Sequence, residues 1–163
     1  MSSPPLFKWS DDYKLDIAEI DDQHKGLVDL LNQLHQAIRE HHGKATSRQI
    51  LDQLVDYTRT HFLLEESLMR VTAYPGVDRH RLQHKELISQ VEALQHKMDQ
   101  ENVAISFELL HFLRNWLVQH IHESDKRFGE HFHSVRLAAT YAAWSKESEQ
   151  AMKQQKKKWW KFW

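Results

Sequence analysis

Four successive stretches of this chain carry apolar residues three and four positions apart, and each stretch is interrupted by histidine. Residues spaced this way share one face of a helix, and an apolar face is a face to be buried. The first stretch, about 20–40, has Leu27, Val28, Leu31, Leu34 and Ile38, with His24 on the same face. The second, about 47–71, has Ile50, Leu54, Tyr57, His61, Glu65 and Leu68. The third, about 77–98, has His80, His84, Leu87, Val91, Leu94 and Met98. The fourth, about 103–128, has Leu109, Leu113, Trp116 with Leu117, His120 and Ser124. Burying an imidazole or a carboxylate without a partner is costly, so a bundle built on these stripes must satisfy the groups in its interior.

The breaks between the stripes support four helices. HHGKATS (41–47) reads as a turn, with Thr46 or Ser47 as cap of the next helix. TAYPG (72–76) breaks the chain, DQEN (99–102) reads as a loop, and Gly129 as a stop. Only 4 Gly and 3 Pro are present, which suits long helices with few tight turns. No strand pattern is visible. The expected fold is all-α, an up-down-up-down four-helix bundle about 30 Å long. It spans residues 1–133, beginning with an irregular arm (1–19), and 134–163 form a helical extension with a basic aromatic tail.

Composition narrows the chemistry. The chain has no cysteine, which excludes disulfides, thiolate zinc sites, cysteine-bound iron–sulfur clusters and a cysteine nucleophile. The first twenty residues lack the apolar run of a signal peptide, and no window approaches the roughly 20 apolar residues of a membrane span. The expected location is cytoplasmic. The chain carries 13 histidines, so their spacing has to decide which of them matter.

Collected by stripe, the polar interruptions are His24, His61, Glu65, His80, His84 and His120, with Asp125 five residues after His120. In an up-down bundle the starts of helices one and three lie beside the ends of two and four. His24 and His80 are near such starts, and His61 and His120 near such ends, so all fall at one end of the bundle. Five imidazoles and two carboxylates exceed the four ligands of a structural zinc. They suit two first-row metal ions spanned by carboxylates, with iron, manganese or zinc favoured over softer metals. Two divalent ions bring more charge than two carboxylates offset, so a bridging oxide or hydroxide is expected. Asp125 poses a problem of winding. Five residues turn an ideal helix by about 500°, or about 140° off face. Asp125 must reach in from the side, or the helix must be wound irregularly there. His122 is the rival to His120 by spacing alone, but His120 continues the Leu113/Trp116/Leu117 stripe. The remaining histidines, including His35, His131 and His133, are read as solvated or core-edge residues.

The pattern His24, His61-x3-Glu65, His80-x3-His84, His120-x4-Asp125, with the lead-in IDDQHKGLVDLLNQL (20–34) and a Trp in the arm, resembles the hemerythrin family over about residues 1–133. The resemblance implies two non-haem iron ions with an oxo or hydroxo bridge. It places His80, His84 and His120 on one iron and His24 and His61 on the other, with Glu65 and Asp125 bridging. It implies O2 as the ligand and Trp116 and Leu117 as the apolar pair lining its pocket. Ferritin-like di-iron proteins need Glu-x-x-His on two different helices. Here that pattern occurs only at Glu108/His111 and Glu130/His133, the first on helix four and the second just past its end.

The tail supplies a separate asymmetry. Residues 153–163 hold five lysines and no acid, leaving 17 basic and 23 acidic residues in 1–152. Lys156, Lys157, Lys158, Trp159, Trp160, Lys161, Phe162 and Trp163 interleave charge with aromatic rings, as a peripheral foot on the inner face of an anionic membrane would. A docking tag for a protein partner is the second reading of the tail, and a disordered or self-packing end the third. No nucleic acid is expected, because the body is acidic. The expected function is reversible O2 binding for storage, transport or delivery, by a protein that is not an enzyme. The alternatives are an O2 or redox sensing module and a di-iron enzyme acting on peroxide or nitric oxide.

Overall fold

The computed structural model describes residues 4–135 and 138–160. Helices α1 (Ala18–Arg39), α2 (Lys44–Val71), α3 (Val77–Glu101) and α4 (Phe107–His120) form the four-helix bundle, and the described residues contain no strand. Beyond α4 the chain continues through a π-helical turn, Ile121–Asp125, into α5 (Lys126–Ser134), and then α6 (Ala138–Trp160). None of the described helices is long and apolar enough to cross a membrane.

Four boundaries differ from the sequence expectation. The fourth helix begins at Phe107, not near 103, with Ser106 Oγ capping it by accepting from Leu109 N–H. Gly43, at φ +96°, turns the chain early enough for α2 to begin at Lys44, so Thr46 and Ser47 lie in its first turn instead of capping it. DQEN is not a loop: α3 runs to Glu101 and ends on Asn102 at φ +50°, a left-handed position that asparagine tolerates. Gly129 does not stop its helix, which runs on to Ser134. A Cβ at Gly129 would meet Leu15 at 3.4 Å, ordinary contact distance, so the N-terminal arm packs directly over this glycine.

The arm is tied down by named bonds. Leu15 N–H and Asp16 N–H donate to the Asp21 carboxylate at 2.8 and 3.0 Å. Phe7 N–H donates to Asn32 Oδ1 at 2.9 Å, and Asn32 Nδ2 donates back to Phe7 O at 2.8 Å. Phe7, Leu15 and Ile17 are buried.

The interior holds two apolar clusters. The larger gathers Leu27, Leu31, Leu34, Leu51, Phe62, Leu87 and Leu110 among others; the smaller gathers Leu15, Ile17, Ile20, Leu68, Met69, Ile121, Phe128 and Trp144. His24 falls between Ile20 and Leu27 on α1, and Glu65 between Phe62 and Leu68 on α2, so the polar layer is enclosed by the two clusters.

The extension folds back on the bundle. Trp144 is buried, and its Nε1 donates to Leu64 O and Ser67 Oγ of α2, each at 2.9 Å. Tyr141 and Ser145 both donate to the Glu19 carboxylate of α1.

Candidate metal centre

All seven residues marked by the interrupted stripes, His24, His61, Glu65, His80, His84, His120 and Asp125, are buried. They form two groups of converging ligand atoms: Glu65, His80, His84, His120 and Asp125 in one, and His24, His61 and Glu65 in the other. Asp125 joins them because the chain is wound as a π helix from Ile121 to Asp125. A π turn closes i to i+5, which brings a residue five positions on back to the same face. The irregular winding, not a sideways reach, resolves the five-residue spacing. His122 is exposed and its ring lies 4.7 Å from Tyr13, away from the cluster.

The carboxylates divide their oxygens between the two groups. Glu65 Oε1 lies 2.7 Å from His80 Nε2 and 3.5 Å from His84 Nε2, while its Oε2 lies 3.4 Å from His61 Nε2 and 3.7 Å from His24 Nε2. Asp125 Oδ1 lies 3.0 Å from His80 Nε2 and 3.1 Å from His120 Nε2, while its Oδ2 lies 3.1 Å from His24 Nε2. The Nε2 atoms of His84 and His80 lie 3.0 and 3.1 Å from that of His120.

These donors fit metal ions better than they fit one another. Ligand atoms at right angles around an ion, each about 2.1 Å from it, stand about 3.0 Å apart. His24 Nε2, Glu65 Oε2 and both oxygens of Asp125 are buried without a hydrogen bond, although oppositely charged groups are close. His24 and Glu65 belong to one of the converging groups, and Glu65 and Asp125 to the other. Orphaned buried polar atoms of this kind are costly unless something else satisfies them.

Three surrounding residues were not marked by the sequence pattern. Gln23 Oε1 lies 2.7 Å from His61 Nδ1, and Glu66 Oε1 lies 2.9 Å from His84 Nδ1. These outer contacts fix which ring nitrogen faces inward. The ring of Phe62 stacks on that of His84 at 3.6 Å, as Trp116 stacks on His120 at 4.3 Å. His131 and His133 donate to Thr72 O and Leu15 O, tying α5 to the neighbouring loop and arm.

An apolar pocket of about 40 Å³ is lined by Leu27, Phe62, Leu113, Trp116 and Leu117 among others, and its Phe62 and Trp116 rings are those that stack on His84 and His120. One water molecule needs roughly 10–15 Å³ on the same measure, so there is room for a small molecule. Trp116 also lines a surface cleft with Gln83, Glu86, Gln119, His120 and Glu123, and so is shared by pocket and cleft.

Of the tail, Lys156, Lys157 and Lys158 are exposed and Trp160 is 83% exposed. Trp159 turns inward, its ring 5.6 Å from that of Tyr57. Lys161, Phe162 and Trp163 lie outside the described residues.

Without metal, protons balance the charge of this layer. Burial raises a carboxyl, but the nearness of His24, His61 and His80 holds Glu65 well below its ordinary value. Burial and the Glu65 charge push Asp125 up, and the facing His120 and His24 more than reverse this. Burial lowers His24 and His80, but Asp125 and Glu65 outweigh it and raise them to about 9 and about 10. Burial dominates at His61, which is lowered, and at His84, lowered to about 4. At neutral pH the raised His24 and His80 therefore carry protons opposite the Glu65 and Asp125 carboxylates.

Metal loading must expel those protons. The protons held by His24 and His80 should be released at pH 7, measurable with an indicator dye in weak buffer, and metal affinity should rise with pH up to the values of those two groups. The signs for stability of the metal-free protein follow from linkage. The raised His24 and His80 stabilise fully below pH 6.5, and their contribution is lost as pH rises through about 9 and 10. The depressed His84 withdraws stability as pH falls from 6.5 towards about 4. Melting curves of the metal-free protein across this range should show both flanks.

Comparison with known proteins gives a consistent result. The family model described as Hemerythrin HHE cation binding domain matches residues 15–132. The chain is 34% identical over 125 residues to a bacteriohemerythrin of Stenotrophomonas maltophilia, covering 77% of this chain and 80% of that protein. It is 31% identical over 125 residues to a bacteriohemerythrin of Methylococcus capsulatus, covering 76% and 95%. A crystal structure of wild-type hemerythrin superposes with a TM-score of 0.74 at 30% identity, covering 78% of this chain and 98% of that one. Helix α6 begins at Ala138, after the segment that matches the family model.

Proposed function

This chain belongs to the hemerythrin family, and on that premise we propose that it binds O2 reversibly at two non-haem irons, to store, carry or deliver it. His80, His84 and His120 would hold one iron and His24 and His61 the other, with Glu65 and Asp125 each offering an oxygen to both groups. The observation that carries this reading is the division of each carboxylate's oxygens between the two histidine groups. Iron bound there would supply the redox chemistry that reversible O2 binding needs.

The protein's own residues provide the rest. The His24–His61 half has one histidine fewer, which leaves room there for a small ligand. The cavity lined by Trp116 and Leu117 offers that ligand an apolar approach, and no ionisable side chain lines it. That lining favours binding over catalysis, which would call for a positioned acid or base. The test is a visible spectrum of iron-loaded, anaerobically reduced protein before O2 is admitted, after, and after its withdrawal. A charge-transfer band that appears with O2 and vanishes on its removal is expected. Immediate irreversible oxidation would move the assignment to sensing or to chemistry on peroxide or nitric oxide.

We further propose that the end of α6 contacts an anionic membrane surface. The exposed Lys156, Lys157, Lys158 and Trp160 support this, although Trp159 packs on the bundle. Full-length protein should partition onto vesicles containing anionic lipid more than the Lys156→Glu/Lys157→Glu/Lys158→Glu variant does, and equal partition would dismiss the contact.

A further inference from the structure

We propose that Ser148 of α6 is a positioning residue of the metal centre, acting through Gln23 on His61. The inference rests on the reading of His61 as a metal ligand and goes beyond it, because it makes the C-terminal helix part of the site.

The contacts form a continuous buried line. His61 turns Nε2 towards Glu65 Oε2, and its Nδ1 lies 2.7 Å from Gln23 Oε1. The Gln23 amide nitrogen donates to Ser148 Oγ at 2.9 Å. Gln23 is 3% exposed and Ser148 only 1% exposed, and both lie at the floor of a surface pocket with Glu19, Tyr57 and Met152. Ser148 is held in place by its own helix: Trp144 anchors α6 on α2, and Tyr141 and Ser145 anchor it on Glu19 of α1.

An amide carries its acceptor and its donors at opposite ends. Ser148 Oγ accepts from the Gln23 NH2 and so supports the amide orientation in which Gln23 presents oxygen to His61; the Nδ1 proton is then donated outward and Nε2 keeps a lone pair for metal. Turned over, the amide would press an N–H at Nδ1 and leave the ring proton on Nε2, where it would block coordination. A carboxylate needs no such orientation, since both of its ends accept. The other half of the site has that arrangement: Glu66 faces His84 Nδ1 from within the bundle, 3.4 Å from Arg81. The two halves therefore depend on different supports, and the His61 half depends on α6.

The test uses full-length protein loaded with ferrous iron under anaerobic conditions, and follows metal loss to a ferrous chelator. Wild type is expected to lose two ions per chain. Loss of outer contacts to a metal-bound histidine costs roughly 10–100-fold in affinity. In Ser148→Ala and in the near-isosteric Ser148→Cys, one of the two ions should leave about tenfold faster, the other at the wild-type rate. Ser145→Ala, which removes an α6–α1 bond without touching Gln23, should change neither. Adding Gln23→Glu to Ser148→Ala should return the fast ion towards the wild-type rate. The proposal is overturned if both Ser148 variants release metal as wild type does, if Ser145→Ala accelerates loss equally, or if Gln23→Glu gives no rescue. Wild-type protein that holds fewer than two ions would instead refute the dinuclear reading itself.

Discussion

Glu65→Gln protein should hold no more than one iron tightly and show no reversible O2 band. An amide offers a single acceptor oxygen and turns N–H donors on whatever faces its other end. At position 65 the two ends face different histidine groups, His80 and His84 on one side and His61 and His24 on the other. The substitution therefore strips one iron of a bridging oxygen and points a donor at it. It also removes one of the two buried charges that hold protons on His24 and His80 in the metal-free state. Glu66→Gln is the informative contrast. Glu66 sits next along α2 and reaches His84 Nδ1 from outside the cluster. That variant should keep both irons, with affinity at the His84 half down by roughly 10–100-fold. Iron titration with elemental analysis separates the two outcomes, and two tightly held irons in Glu65→Gln would sink the bridging role.

Trp116→Ala should oxidise irreversibly in air faster than wild type, on the order of tenfold or more. Trp116 lines the apolar pocket on one side and the cleft with Glu86 and Glu123 on the other. Truncating it joins the two spaces, and the merged space then has polar partners at which water can be held. Access of water and protons is what an apolar surround limits around a redox metal. The ring that stacks on His120 is lost as well, so iron content must be measured in parallel. The decay of the O2-dependent band in air gives the rate. Leu113→Ala enlarges the same cavity without opening the cleft, because Leu113 does not line the cleft, and should change that decay much less.

The seven residues of the cluster are legible because each lies on a stripe whose period is local. A helix turns about 100° per residue whatever surrounds it, so His61 and Glu65 share the face of Leu54 and Leu68 before any tertiary contact forms. Short breaks and alternating helix direction then bring the polar interruptions to one level. The surrounding partners carry no such mark. Glu66 stands one position from Glu65, and nothing local distinguishes it from an exposed acid such as Glu101. Gln23 adjoins His24 in the sequence but serves His61, 38 residues away. Ser148 is 125 residues from the amide it holds, in a helix read only as an extension. Gly129 looks like a helix stop until Leu15 of the arm is seen against it.

The sequence by itself determined the helices, the face each one buries and which side chains interrupt that face, because those follow from helical period and side-chain polarity alone. The tertiary structure decided the winding that delivers Asp125, the division of each carboxylate between two histidine groups, and the contacts that orient His61 and His84. Those depend on how each helix is rotated and set against its neighbours, and the packing that fixes this involves residues far apart in the chain.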